Sequence, residues 1–141
     1  MQIRMCEKTD INEVYILISE LEEQEIDYQN FETVFNNRMD NKYSYYYVCE
    51  ENGKVIGILG LRIDYQLHHI KKVATIEEFI IKSEYRSKGI GKLLLENAIT
   101  QAQNNNCEAI ELTSRISRER AHNFYIKNGF AKNSFKFKMK L

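Results

Sequence analysis

The sequence predicts a single α/β (α+β) domain, residues 1–141, on a mixed sheet, and three observations predict it. Segments alternating with period two, rich in β-branched and aromatic residues, are interleaved with segments of helical period in the order β-α-α-β-β-β-α-β-α-β. A chain of 141 residues suits one core and would split poorly into two. Leu, Ile, Val and Phe supply 39 of those residues, well above what disordered chains carry.

Each element has its own justification. Ile3 and Met5 alternate with Gln2 and Arg4, a short first strand within residues 1–7. Thr9 or Asp10 suits the N-cap of the next helix, which carries Ile11, Val14, Tyr15, Ile18 and Leu21 on one face. A second helix is expected from about Asn30 to Met39, with Phe31, Val34 and Phe35 as its apolar positions. Tyr43–Cys49 and Lys54–Tyr65 read as strands joined by Glu50-Glu51-Asn52-Gly53, whose Asn-Gly marks a hairpin. Val73–Ile81 is a further strand, and Ile90–Gln103 a helix with Ile90, Leu94, Leu95, Ala98, Ile99 and Ala102 at helical spacing. After the break at Asn104-Asn105-Asn106, Glu108–Thr113 reads as a strand and Arg118–Lys127 as a short helix stopped by Asn128-Gly129. Phe130–Leu141 is expected to finish as strands.

Composition narrows the function classes. Lys+Arg and Asp+Glu balance at 20 each, which argues against a broad basic face for duplex nucleic acid. The longest apolar run, Val55–Leu61, is too short for a bilayer, and Met1-Gln2-Ile3-Arg4 opens no secretory leader. Three cysteines (Cys6, Cys49, Cys107) form neither a disulfide framework nor a metal spacing, so a cytoplasmic protein without a metal is expected. The charge is nevertheless segregated. Glu7–Asp27 holds eight acids and one base, and Arg115–Leu141 eight bases and one acid. Such runs are commonly solvated faces; the sharper reading is a site where a cationic ligand meets the acidic part and a phosphorylated one the basic part.

The chemistry concentrates in Ile76-Glu77-Glu78-Phe79-Ile80-Ile81-Lys82-Ser83-Glu84-Tyr85-Arg86-Ser87-Lys88-Gly89-Ile90-Gly91-Lys92. A strand runs into a basic turn punctuated by glycine that opens a long helix. Unpaired N–H groups at a helix start carry the positive end of the helix dipole, so this is an anion cradle, with Arg86, Lys88 and Lys92 adding charge. It is neither a P-loop nor a Rossmann turn, because the Gly-Lys-Ser/Thr ending and the third glycine are missing.

Arg86-x-x-Gly89-x-Gly91, after a strand and before a helix, resembles the acyl-CoA binding motif of the GNAT (Gcn5-related) N-acetyltransferases. Ala121-His122-Asn123-Phe124-Tyr125-Ile126-Lys127-Asn128-Gly129-Phe130 is similar to that family's second signature, Ala-x-x-Phe-Tyr-x-x-x-Gly-Phe, at family-like spacing. Ser134-Phe135-Lys136-Phe137-Lys138 and the Ala121-His122 pair resemble the branch that acetylates small-molecule amines.

The resemblance implies a mixed, mostly antiparallel sheet with a splayed central strand pair, flanked by about four helices. It implies acetyl-CoA as cosubstrate, with its pantetheine arm along the main chain of Phe79, Ile80 and Ile81. The pyrophosphate would lie in the turn Arg86, Ser87, Lys88, Gly89, Ile90, Gly91 and Lys92. Tyr125 would protonate the leaving thiolate. Many members carry Asn where this chain has Arg118, which would contact a phosphate instead. An amine attacks only when neutral, so a carboxylate must take its proton. The family position favours Glu77, with Glu78 second, and simple alternation sends the two side chains to opposite faces.

Tyr28 and Phe31, in the acidic connection between the first two helices, are candidate substrate-binding residues, as is Glu78. His68, His69 and His122 are weaker candidates, and no base activates Cys107. The function implied is direct transfer of an acetyl group from acetyl-CoA to a primary amine of a small molecule. A protein or peptide N-acetyltransferase, or a non-catalytic acyl-CoA-binding module, is the alternative. The implied partner is a small-molecule amine, with no nucleic acid and no membrane; a homodimer is compatible.

Overall fold

Asn52 and Gly53 both adopt positive φ (51° and 76°) in the computed structural model, which describes residues 1–141. That is the conformation a two-residue hairpin turn requires. The turn joins β2 (Ser44–Glu51) to β3 (Lys54–Asp64). β1 (Gln2–Met5) pairs antiparallel with β2, and β4 (Val73–Ile81) antiparallel with β3. β5 (Ala109–Leu112) pairs parallel with β4 and ends the sheet, so strand order follows chain order. The parallel pair needs a crossover, which α3 (Ile90–Asn104) supplies.

α1 (Ile11–Glu22) and α2 (Tyr28–Asp40) cover one face of the sheet. Val14, Leu17 and Phe35 pack there on Val48, Val55, Ile58 and Ile80. α3 covers the other face, where Leu94, Leu95 and Ala98 meet Leu59, Leu61, Ala74 and Ile76. α4 (Glu119–Lys127) follows β5. No helix is long and apolar enough to cross a membrane.

Local chemistry sets the helix starts. α2 begins at Tyr28, earlier than its apolar spacing suggests, because the Asp27 carboxylate accepts the Asn30 N–H at 2.9 Å. Before α1, Asp10 accepts from the Glu7 N–H at 2.8 Å and from Arg4 at 2.9 and 3.0 Å. The Arg4 guanidinium holds this buried carboxyl below its usual range.

Two expectations are corrected. Phe130–Leu141 forms no strand: beyond Phe130, no residue makes a main-chain hydrogen bond, and residues 131–141 are exposed. Alternation makes a segment fit for a strand, but a strand exists only where a neighbouring edge takes up its N–H and C=O groups. Nor do Glu77 and Glu78 face opposite ways. Gly60 pairs with Glu78 and Leu61 with Ile76, so Glu77 is the extra residue of a β-bulge. The bulge resets the alternation. Ile76 and Ile80, four apart, enter opposite cores, and both carboxylates fall on the side of α1 and α2.

Candidate active site

β4 and β5 are paired only from Val73–Ala109 to Ile76–Leu112. β4 then continues to Ile81 with a partner on the β3 side alone, leaving an open edge from Glu77 to Ile81. The Lys82 N–H donates to the Ile56 carbonyl at 2.8 Å, so Ile80 and Glu78, in phase with Lys82, direct their main-chain groups to β3. Phe79 and Ile81 direct theirs to the open edge. The Ile81 carbonyl is already taken by Arg86 Nε at 2.8 Å. Of the three expected pantetheine residues, Phe79 and Ile81 thus line the edge, whereas Ile80 has its main chain on β3 and its side chain in the core.

Beyond Ile81 the chain makes one 3-10 turn (Ser83–Tyr85) and reaches α3 through Ser87 and Gly89 at φ 63° and 81°. None of the six N–H groups from Ser87 to Lys92 donates to a main-chain carbonyl. This row of free donors at the start of a helix is what a diphosphate needs, and the residues fit that group. Gly91 backs onto the ring of Phe124, where an added Cβ would lie 3.5 Å away, and Ile90 is buried as the anchor of the turn. Lys88 lies 5.3 Å over the Tyr85 ring, and Lys92 is exposed. Arg120 donates to the Ser87 hydroxyl, tying α4 to the cradle.

Three arginines hold the end of α1. Arg86 pairs with Glu20 at 2.9 Å, Arg115 pairs with Glu22 at 2.7 Å, and Arg118 donates to the Leu21 carbonyl. Asp10 is held by Arg4, Glu13 accepts the Val55 N–H at 2.7 Å, and Asp27 caps α2. Much of the acidic segment is therefore paired within the molecule, which lowers the charge it presents to a cationic ligand.

Tyr125 reaches the open edge from α4. Its ring lies 6.3 Å from that of Phe79, and 5.6 Å from those of Phe124 and Phe130. Burial raises its phenol above the usual value, so it stays protonated at working pH.

The two carboxylates stand where β4 parts from β5. Glu77 Oε2 lies 2.9 Å from Arg38 and Oε1 lies 2.8 Å from Arg62. Glu78 Oε2 accepts the Tyr46 hydroxyl at 3.0 Å. Burial pushes the Glu78 carboxyl above its ordinary value, the Tyr46 hydrogen bond and Arg38 opposing and Glu77 assisting. Gly60 makes room for this contact: a Cβ there would stand 2.4 Å from Glu78 Oε2 and 2.5 Å from the Tyr46 ring.

Arg38, Tyr46, Gly60 and Arg62 escaped the reading of the sequence. One signal for them exists: a glycine inside an apolar strand marks a close approach. Arg38 follows Phe31 and Phe35 at helical spacing, so the sheet-facing side of α2 ends in a cation. Tyr28 and Phe31 pack against Tyr15 of α1, with ring centroids 5.1 and 5.3 Å away, and Tyr28 donates to Asn12 at 2.9 Å. His122 contacts Ser114 and the Arg115 carbonyl, on the segment leading into α4.

The model of the acetyltransferase (GNAT) family matches residues 10–130. An aminoalkylphosphonate N-acetyltransferase of Salmonella typhimurium is 32% identical over 136 residues, covering 96% of this chain and 88% of the relative. Among solved structures, a chain from Agrobacterium tumefaciens strain C58 described as an acetyltransferase superposes with a TM-score of 0.90 at 24% identity, over 100% of both chains. AAC(6')-Iy, in complex with the bisubstrate analogue CoA-S-monomethyl-acetylneamine, superposes at 0.86 with 17% identity, over 99% of this chain and 97% of that one. With the splayed strands, the cradle of free N–H groups and this match over most of its length, the chain belongs to the GNAT acetyltransferase family and is an acyltransferase whose donor is acetyl-CoA.

Proposed function

We propose that the protein acetylates a primary amine of a small molecule by direct transfer, with Glu78 rather than Glu77 as the base. The observation that carries this reading is the Tyr46–Glu78 pair at the mouth of the open edge. Glu77 accepts from Arg38 at one oxygen and has the Arg62 guanidinium beside the other, which leaves it suited to positioning Arg38 and Arg62. Glu78 is held at one oxygen by a neutral phenol, and burial raises its proton affinity toward that of a useful base.

When bound, acetyl-CoA supplies an acetyl thioester, whose C–S bond breaks as the C–N bond to the amine forms. Glu78 takes the proton of the incoming ammonium, directly or through one water, and uncovers its lone pair. The Phe79 N–H, on the open edge, polarises the acyl oxygen. The Ser87–Lys92 N–H row fixes the phosphates, so the acyl group is carried to a set position. Tyr125 holds the proton that the departing sulfur needs.

The acceptor class rests on the aminoalkylphosphonate enzyme, similar across nearly the whole chain. Tyr28 and Phe31 are proposed as part of the acceptor wall through their hold on α1, and Arg118 as a phosphate contact once it leaves Leu21. Three free cysteines suit a reducing cytoplasm.

A thiol-release assay with acetyl-CoA tests the reading against aminoalkylphosphonates, aminoglycosides, amino acids and short peptides. Turnover of one of the small amines is expected. Turnover confined to peptides, or none despite bound acetyl-CoA, overturns it.

A further inference from the structure

Beside the two carboxylates stand two guanidinium groups that the transfer step leaves unused. Arg38, in the last turn of α2, donates to Glu77 Oε2 at 2.9 Å, and Arg62 of β3 donates to Asp64 at 3.2 Å. Arg62 Nε stands 2.8 Å from Glu77 Oε1, yet its N–H is not aimed at that oxygen, and the nitrogen is buried without a hydrogen bond. Ser44, paired with Arg62 across β2 and β3 and in phase with Tyr46, carries a hydroxyl that is buried and unpartnered as well. An unmade hydrogen bond of a buried polar atom costs free energy, most of all on a charged group. Each guanidinium keeps most of its donors free, and both side chains are partly exposed.

We propose that Arg38 and Arg62 bind an acid group of the acceptor, so that the substrate is a short aminoalkyl acid. Its amine lies at Glu78, and its phosphonate, carboxylate or sulfonate lies on the two guanidiniums. The proposal rests on the reading above of a small primary amine as acceptor with Glu78 as its base. Arginine suits this task because its planar fork meets two oxygens of an acid group at once. The charges agree with such a ligand. Glu77 and Asp64 balance Arg38 and Arg62 in the free protein, and Glu78 is left to meet the ammonium. A zwitterion, which brings little net charge, therefore fits better than a bare cation or a bare anion. Glu77, bonded to one fork and beside the other, holds the pair together while the acid group is away. The spacing sets the chain length. Glu78 pairs with Gly60, and Arg62 lies two residues further along β3, about 7 Å away. Two or three carbons span that distance once a hydrogen bond is added at each end.

Thiol release with acceptors of matched length tests this, with aminoethylphosphonate, β-alanine and taurine set against propylamine. At least one acid is expected to exceed propylamine in kcat/KM by about 10–100-fold, the worth of hydrogen bonds to a charged group. Lengthening that acid by about three carbons is expected to remove the advantage, and Arg62→Met to bring the ratio close to one. Amine basicity cancels, because the same acceptors are compared in both proteins. Ethylphosphonate, propanoate and ethanesulfonate carry the acid groups without the amine, and they read the site without turnover. With acetyl-CoA saturating the phosphate cradle, at least one is expected to bind by calorimetry and to weaken about tenfold or more in Arg62→Met. A preference that survives in folded Arg62→Met and Arg38→Met alike, or that persists in the longer acid, overturns the assignment. Propylamine turned over as fast as every acid also overturns it and leaves the small-amine reading in place. Turnover of none of these amines, with an amine-free acid bound through Arg62, overturns that reading and leaves the acid site. Neither turnover nor binding overturns both.

Discussion

The Tyr46 hydroxyl donates to Glu78 Oε2 at 3.0 Å across the gap left by Gly60. A tyrosine on β2 thereby reaches over β3 to a carboxylate on β4, and only a residue without a side chain at the crossing permits it. The pair gives Glu78 a fixed direction while burial raises its proton affinity.

Glu78→Gln keeps the shape and removes the base. We predict a fall in kcat of about 10²–10⁴-fold with the KM for acetyl-CoA little changed. The wild-type rate falls as pH drops through the raised pKa of Glu78, and that acidic limb is lost in the variant. Stability moves the other way. A carboxyl raised in the folded state favours folding in its protonated form, a contribution that is full below the unfolded pKa and lost as pH rises through the folded one. Glu78→Gln is therefore expected to melt higher than wild type at neutral pH, which calorimetry reads directly.

Gly60→Ala places a methyl group against the Tyr46 ring and the Glu78 carboxylate. The expected result is a folded protein with kcat reduced on the order of 10²-fold, the usual cost of misplacing a catalytic group by about 1 Å. An unaltered pH–rate profile in this variant would refute the role of the contact.

Tyr125→Phe retains the packing on Phe79, Phe124 and Phe130. A drop of about 10²-fold in kcat is expected, with acetyl-CoA affinity preserved by calorimetry. Wild-type kcat in the folded variant would return Tyr125 to a packing role.

The cradle separates its two glycines. Gly89→Ala meets no neighbour but must hold φ 81°, a strain of about 1–2 kcal/mol that tilts the N–H row. Gly91→Ala meets Phe124 at ordinary contact distance. Titration calorimetry is expected to show weakened acetyl-CoA binding in the first and nearly wild-type binding in the second.

Arg86 is paired with Glu20, and a phosphate held in the cradle would have to draw it away from that carboxylate. Glu20→Gln is predicted to tighten acetyl-CoA about two- to fivefold, the worth of a partly exposed ion pair, and Arg86→Ala to weaken it. Added salt weakens binding in the wild type. Equal affinities in all three proteins would remove Arg86 from the phosphate site.

How much of this was legible depends on whether the signal was local. The hairpin at Asn52-Gly53, the helix start at Ile90 and the strand Val73–Ile81 rest on short patterns, and they stand where the pattern puts them. The cradle was legible because a turn and a helix start are written in neighbouring residues. The bulge at Glu77 was not, since nothing in Ile76-Glu77-Glu78-Phe79 says which residue the partner strand will skip. Arg38 and Tyr46 were hidden for the same reason: the meeting of Arg38 with Glu77 is set by how α2 crosses the sheet, and that of Tyr46 with Glu78 by the register of β2, β3 and β4. The tail misled because its pattern states a preference and is silent about a partner.

The skipped residue also gives β4 one position that the pairing with β3 does not count. Removing Glu77 would join Ile76 directly to Glu78, and Leu61–Ile76 and Gly60–Glu78 would close as an unbroken ladder, with Ala74 and Ile76 still on the α3 side. The hydrophobic interior would keep its faces, and the loss would fall on the carboxylate that meets Arg38 and Arg62 where β4 parts from β5. The extra residue therefore serves the site and is spare to the core.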